Sequence, residues 1–100
     1  MAFYLLEKLI HLHDGYSRSF SIAGQSLLLV QDQGQRYLLL NQCPHQQAPL
    51  DRATIQGGKL QCSLHGMQFD LITGATSSAC DERLQFLPIA YDGASIGVQL

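Results

Sequence analysis

Apolar and polar positions change over quickly along this chain. Short apolar stretches are broken by turn residues, and no long helical period stands out. The stretch 3–12 starts apolar, is interrupted by Glu7 and Lys8, and fits a helix or a strand; a strand joining the chain's last hairpin is expected. Asp14-Gly15 marks an early turn, 18–22 reads as a strand, and Ala23-Gly24-Gln25 reads as the next turn. The apolar runs 26–31 and 36–40 lie on either side of Gln33-Gly34-Gln35, the layout of a hairpin. Gly57-Gly58 precedes a strand from Lys59, and another strand is expected near 67–71. Residues 84–91 and 94–99 flank Asp92-Gly93, the clearest short hairpin turn in the chain. The pattern is a succession of short strands, without repeats, linkers or low-complexity segments.

The chemistry sits in the middle of this pattern. Cys43-Pro44-His45 is followed, after sixteen residues, by Cys62-Ser63-Leu64-His65. Each motif offers one thiolate and one imidazole, so the pair makes a mixed Cys₂His₂ ligand set. Four thiolates are the usual ligands of iron–sulfur clusters, and one [2Fe–2S] variant replaces two of them by imidazoles on one iron. A loop carrying a Cys and a His two or three residues apart reaches both irons, and two such loops clamp a cluster from opposite sides. Zinc also takes two Cys and two His, as a structural module. Its usual spacing, however, pairs Cys with Cys and His with His.

The pattern C-x-H-x₁₆-C-x₂-H resembles the Rieske iron–sulfur family. Pro44, Ala48-Pro49-Leu50, His65-Gly66, Gln68-Phe69-Asp70 and Thr73-Gly74 extend the likeness, which covers about residues 14–100. The resemblance implies an all-β Rieske fold of small antiparallel sheets in a single domain, 1–100, with a two-loop cluster-binding subdomain at about 42–80. It implies one [2Fe–2S] cluster, with Cys43 and Cys62 on the inner iron and His45 and His65 on the outer iron. High-potential members carry a disulfide between the loops, and hydroxyl donors after the second His. The corresponding positions here are Ala48, Leu64, Met67 and Phe69, none of which can form that disulfide or donate a hydroxyl. Hydrogen bonds to the sulfurs favour the reduced cluster, so a potential at the bottom of the roughly −150 to +300 mV range is expected. In many relatives a Pro-bearing loop covers the cluster. Ser77-Ser78-Ala79-Cys80 lacks a Pro, and Cys80 is expected as a packed thiol rather than a ligand.

Composition narrows the function. One hundred residues suit one small domain, and a formal net charge of −2 without a basic patch argues against nucleic acid as a partner. Two ferric ions and two sulfides bring +2 and two thiolates bring −2, so the oxidised loaded chain stays near −2. Three cysteines do not make a disulfide scaffold. The N-terminal stretch lacks the basic region of a signal peptide, and no apolar run reaches the roughly 20 residues that span a bilayer. A cytoplasmic monomer is expected. There is no Gly-rich nucleotide fingerprint, and no room for a mononuclear iron domain. The resemblance therefore implies an electron carrier, a Rieske-type ferredoxin. Its donor would be an NAD(P)H-dependent flavoprotein reductase and its acceptor a terminal, ring-hydroxylating oxygenase. A small subunit of a nitrite-reductase-like complex is the alternative. The expected docking rim is Pro44, Gln46, Gln47, Leu64, Gly66 and Met67. His11 and His13 are expected as exposed polar residues at a strand end, and Asp70 as a turn or hydrogen-bonding residue.

Overall fold

Successive side chains of a strand point to opposite faces, so an unbroken run such as Leu27-Leu28-Leu29-Val30 must be covered on both sides. The computed structural model describes residues 2–42, 50, 53–62, 68–76 and 83–100. Among these, the strands are β1 (Phe3–Lys8), β2 (Ser17–Ile22), β3 (Gln25–Asp32), β4 (Gln35–Leu40), β5 (Thr54–Gln56), β6 (Lys59–Gln61), β7 (Gln68–Asp70), β8 (Ala90–Asp92) and β9 (Ser95–Gln99). They form three antiparallel sheets in the orders β1-β9-β8, β2-β3-β4 and β5-β6-β7. The all-β architecture of small antiparallel sheets is thus the one expected.

The sheet β2-β3-β4 is the middle layer. On one side Leu28, Val30 and Leu39 join Leu60, Phe69 and Leu71 in a single buried cluster. On the other, Leu27, Leu29 and Leu38 join Leu6, Ile96 and Val98. Full burial of such a side chain contributes about 1.5–3 kcal/mol relative to leaving it in water. These two apolar layers therefore set the stacking of the three sheets.

The hairpins of the middle sheet turn through Ala23-Gly24, closed by the pair Ile22↔Gln25, and Gln33-Gly34, closed by Asp32↔Gln35. All four turn residues have positive φ, 51° at Ala23, 79° at Gly24, 53° at Gln33 and 77° at Gly34. Two-residue hairpin loops with this geometry match the twist of the strands they join. Ala23 and Gln33 adopt it against the preference of a side chain bearing Cβ.

Four local features differ from the sequence pattern. The stretch 3–12 is a strand only to Lys8, paired with β9 as expected; it then closes in a 3₁₀ turn, Leu9–His11. Of the expected strand 84–91, only the end belongs to β8. Residues 84–89 form a strap instead. Leu84 N–H donates to Gly74 O (2.9 Å), Leu40 N–H to Gln85 O (2.9 Å) and Leu87 N–H to Leu38 O (2.7 Å). Pro88 has no N–H to extend that ladder. The last hairpin turns one residue later than expected: Asp92 pairs with Ser95, and Gly93 takes a φ of 61°. Strand β5 was not anticipated.

A carboxylate fastens the β1 sheet to the middle one. β1 carries an irregularity between Leu5 and Glu7, a device that re-aims a side chain. Glu7 then accepts from Tyr16 OH (3.0 Å) and Lys8 N–H (2.9 Å), and meets His11 Nδ1 at 2.9 Å and Arg18 Nη1 at 3.5 Å. The His11 contact, followed by the Lys8 N–H, pulls the Glu7 carboxyl down to about 2. Burial, followed by Glu7, pushes Tyr16 up to about 12. His11 and His13 are exposed, as expected.

Candidate metal centre

The small sheet β5-β6-β7 falls inside the span 42–80 and alternates strictly. Ile55, Leu60 and Phe69 face the buried cluster side, while Thr54, Gln56, Lys59, Gln61 and Gln68 lie on the open face around a 170 Å³ depression. The same alternation carries one residue past β6. Leu60 points in, Gln61 out and Cys62 in, so Cys62 is 1% exposed and belongs to the apolar cluster with Leu60 and Phe69. The pair Gln61↔Gln68 holds the mouth of the β6–β7 hairpin. The second ligand motif therefore begins at a buried thiol and leaves along a paired strand.

The first motif is bracketed differently. Asn41 follows β4, and its Oδ1 accepts a hydrogen bond from Leu50 N–H at 2.7 Å. Leu50 is fully buried in the same cluster as Cys62. Leu50, which follows the first motif, and Cys62, which opens the second, thus share one core. Of the expected ligands, Cys62 is placed there; Cys43, His45 and His65 lie outside the described residues. So do Pro44, Gln46, Gln47, Ala48, Leu64, Gly66 and Met67, and the segment 77–80 with Cys80. Among the described residues, no group of three or more His, Cys, Asp or Glu comes together.

The base of the centre is held by polar contacts to backbone N–H groups. Asp32 Oδ2 accepts from Gly58 N–H at 2.7 Å, tying the Gly57-Gly58 turn to the middle sheet. Asp70 Oδ1 accepts from Ile72 N–H (2.7 Å) and Thr73 N–H (3.2 Å), the turn role expected of it. The turn ends at Gly74 with a φ of +79°, where a Cβ would come within 2.9 Å of the Phe86 ring and 3.1 Å of Leu84 O; only glycine fits. Tyr37 packs against the cluster side, and its phenol is raised by burial and by Asp32 and Asp70. Phe69 is fully buried in this core. Asn41 and Asp32 were not singled out from the sequence. The signal available was their type: Asn and Asp placed at the end of a strand favour side-chain bonds to the backbone.

The donor chemistry fits a soft metal group. Cys62 lies among leucines and a phenylalanine, and thiolate ligands select iron–sulfur clusters and zinc.

Comparison with known proteins agrees with this geometry. Residues 2–88 match the family model described as the Rieske [2Fe-2S] domain. Apoptosis-inducing factor 3 of Mus musculus and of Homo sapiens is 35% identical over 63 residues, 63% of this chain, but the chain spans only 10% of the length of those relatives. The ferredoxin component of a naphthalene 1,2-dioxygenase system from Pseudomonas aeruginosa is 25% identical over 93 residues, covering 92% of this chain and 89% of its own. Among solved structures, the ferredoxin of carbazole 1,9a-dioxygenase from Nocardioides aromaticivorans IC177 superposes with a TM-score of 0.83 at 27% identity, over 98% of this chain and 97% of that one. Three sheets around a doubly buried middle layer, a buried thiol at the mouth of the β6–β7 hairpin and a family match over residues 2–88 place this chain in the Rieske [2Fe–2S] domain family.

Proposed function

We propose that this chain is a one-electron carrier, a Rieske-type ferredoxin that takes electrons from an NAD(P)H-dependent flavoprotein reductase and delivers them to a terminal oxygenase of the ring-hydroxylating type. Cys43 and Cys62 would hold the inner iron of one [2Fe–2S] cluster, and His45 and His65 the outer iron. When bound, the cluster supplies one-electron chemistry. The chain's own residues shield and position it: Leu60, Phe69 and Leu50 exclude water around Cys62, and the β6–β7 pairing aims the second motif.

The observation that carries this reading is Cys62, a nearly inaccessible thiol at the root of a Cys-x₂-His motif, in a chain that runs almost end to end with ferredoxin components of dioxygenase systems. The imidazole-bearing ends of the two motifs would meet partners in a small, transient interface. Phe69, which has no hydroxyl, supports a potential at the low end of the roughly −150 to +300 mV range. No helix among the described residues is long and apolar enough to cross a membrane. A cytoplasmic site of action is part of the proposal.

The test is reconstitution. Loaded protein, reduced by a flavoprotein reductase with NAD(P)H, should support turnover of an isolated ring-hydroxylating oxygenase, with a potential near the bottom of the range. A potential above roughly +100 mV, well into the upper part of that range, contradicts the low-potential reading. Tight co-purification with a sirohaem enzyme, and no transfer to an oxygenase, would move the chain to a nitrite-reductase-like complex.

A further inference from the structure

Asn41 makes a set of contacts that the strand pattern does not require. Its backbone N–H donates to Ser26 O at 2.9 Å. Its side-chain Nδ2 donates to Ser26 Oγ at 3.1 Å, and its Oδ1 accepts from Leu50 N–H at 2.7 Å. One side chain thus joins three places: the end of β4, the start of β3, and the point where the first ligand segment re-enters the core. Leu50 is fully buried, and a buried backbone N–H without a partner is strongly disfavoured. Its carbonyl is also engaged, accepting from Ala53 N–H at 2.9 Å. Leu50 therefore sits in the core beside Cys62 with both backbone groups bonded, and Asn41 supplies one of those bonds.

The bond spans nine residues of chain, and Cys43 and His45 lie within that span. The second ligand segment needs no such device, because the ladder pair Gln61↔Gln68 closes it. On the reading proposed above, we infer that Asn41 is a positioning residue for the cluster: its amide clasps Leu50, on the far side of residues 43–49, to the end of β4 and to β3. Pinning both ends removes conformational freedom from the segment between them. Groups that orient metal ligands from outside typically change metal retention about 10- to 100-fold when removed.

The experiment uses anaerobically purified, loaded protein: wild type, Asn41→Ala, Asn41→Asp and Ser26→Ala. Iron release to an excess of ferrous chelator is followed alongside the EPR line shape of the reduced form and the thermal unfolding curve. Asn41→Ala should release iron about tenfold faster and broaden the EPR line. Asn41→Asp keeps the acceptor for Leu50 N–H, its second carboxylate oxygen can accept from the Ser26 hydroxyl in place of the lost Nδ2 bond, and it should release iron at a near-wild-type rate. Ser26→Ala loses only the outer anchor and should fall between them. Asn41→Ala with wild-type release and line shape overturns the clasp. So does Asn41→Asp releasing as fast as Asn41→Ala, because a merely structural side chain would not be rescued by its acceptor oxygen. If Asn41→Ala does not fold, Asn41→Asp decides: near-wild-type release supports the clasp, and fast release overturns it. A wild type that takes up no iron or sulfide overturns the cluster reading and the clasp together.

Discussion

The two faces of the middle sheet are buried equally well but in different ways. The face against β1-β9-β8 meets strands of six, five and three residues, and its core is closed by carbon and by the Tyr16 ring. The face against β5-β6-β7 meets three strands of three residues each, and its core contains a thiol, Cys62. Strands that short make few ladder bonds, and small sheets of this kind gain little stability by themselves. The difference suggests a division of labour. One side holds itself together by packing and by the Glu7 contacts, while the other, on the function proposed above, would rely on a cluster held by Cys62.

The largest expected effect breaks this comparison directly. Removing iron from the loaded protein should speed amide exchange in β5, β6 and β7 by orders of magnitude while β1, β3 and β9 stay protected, because metal binding free energy is folding free energy for the elements that carry the ligands. Exchange mapped by NMR or mass spectrometry checks it. Uniform loosening of all three sheets would mean that the two sides do not differ in this way.

Next in size is Phe69→Tyr. It adds a hydroxyl inside the thiol-bearing core, where by resemblance high-potential members place one. A donor that reaches the cluster sulfurs should raise the reduction potential by tens of millivolts within the family's roughly −150 to +300 mV range. A redox titration reads this, and an unchanged potential with lower stability would show that the hydroxyl is buried without a partner.

Glu7→Gln probes the self-sufficient side. The Glu7 carboxyl is held at about 2, below its ordinary value of 4.5. Its contribution is therefore fully present above about pH 4.5 and is lost as pH falls through about 2. Denaturant titrations should find Glu7→Gln less stable by about 1–2 kcal/mol near neutral pH, with the gap closing towards pH 2. A gap that does not depend on pH would contradict this. The smallest expected effect is at Ala23, whose φ of 51° suits glycine better. Ala23→Gly should gain up to about 1 kcal/mol by relieving that conformation, partly offset by greater unfolded-state freedom, and a thermal melt would show it.

These regions also differ in how readily the sequence revealed them. Hairpins marked by Gly24, Gly34 and Gly58 were legible because a positive φ leaves a compositional trace. The Cys and His motifs stood out because Cys and His at fixed spacing do little else, and of their four residues only Cys62 is among those described. The strap 84–89 looked like a strand because Leu84, Phe86 and Ile89 are apolar, and only Pro88 hinted that the ladder stops. Strand β5 was too short for any period to emerge. The contacts of Asn41 and Asp32 cross nine and twenty-six residues, so they depend on tertiary placement that local pattern does not carry. Cys62 could have been read as inward-facing from its place two residues after Leu60.

The most direct test of the central claim is an EPR spectrum of anaerobically purified protein before and after dithionite, with iron and sulfide quantified. A mixed Cys/His [2Fe–2S] centre predicts a silent oxidised form, a rhombic signal on reduction with an average g below that of all-cysteine clusters, and two irons and two sulfides per chain. Colourless protein with stoichiometric zinc and no signal would contradict it.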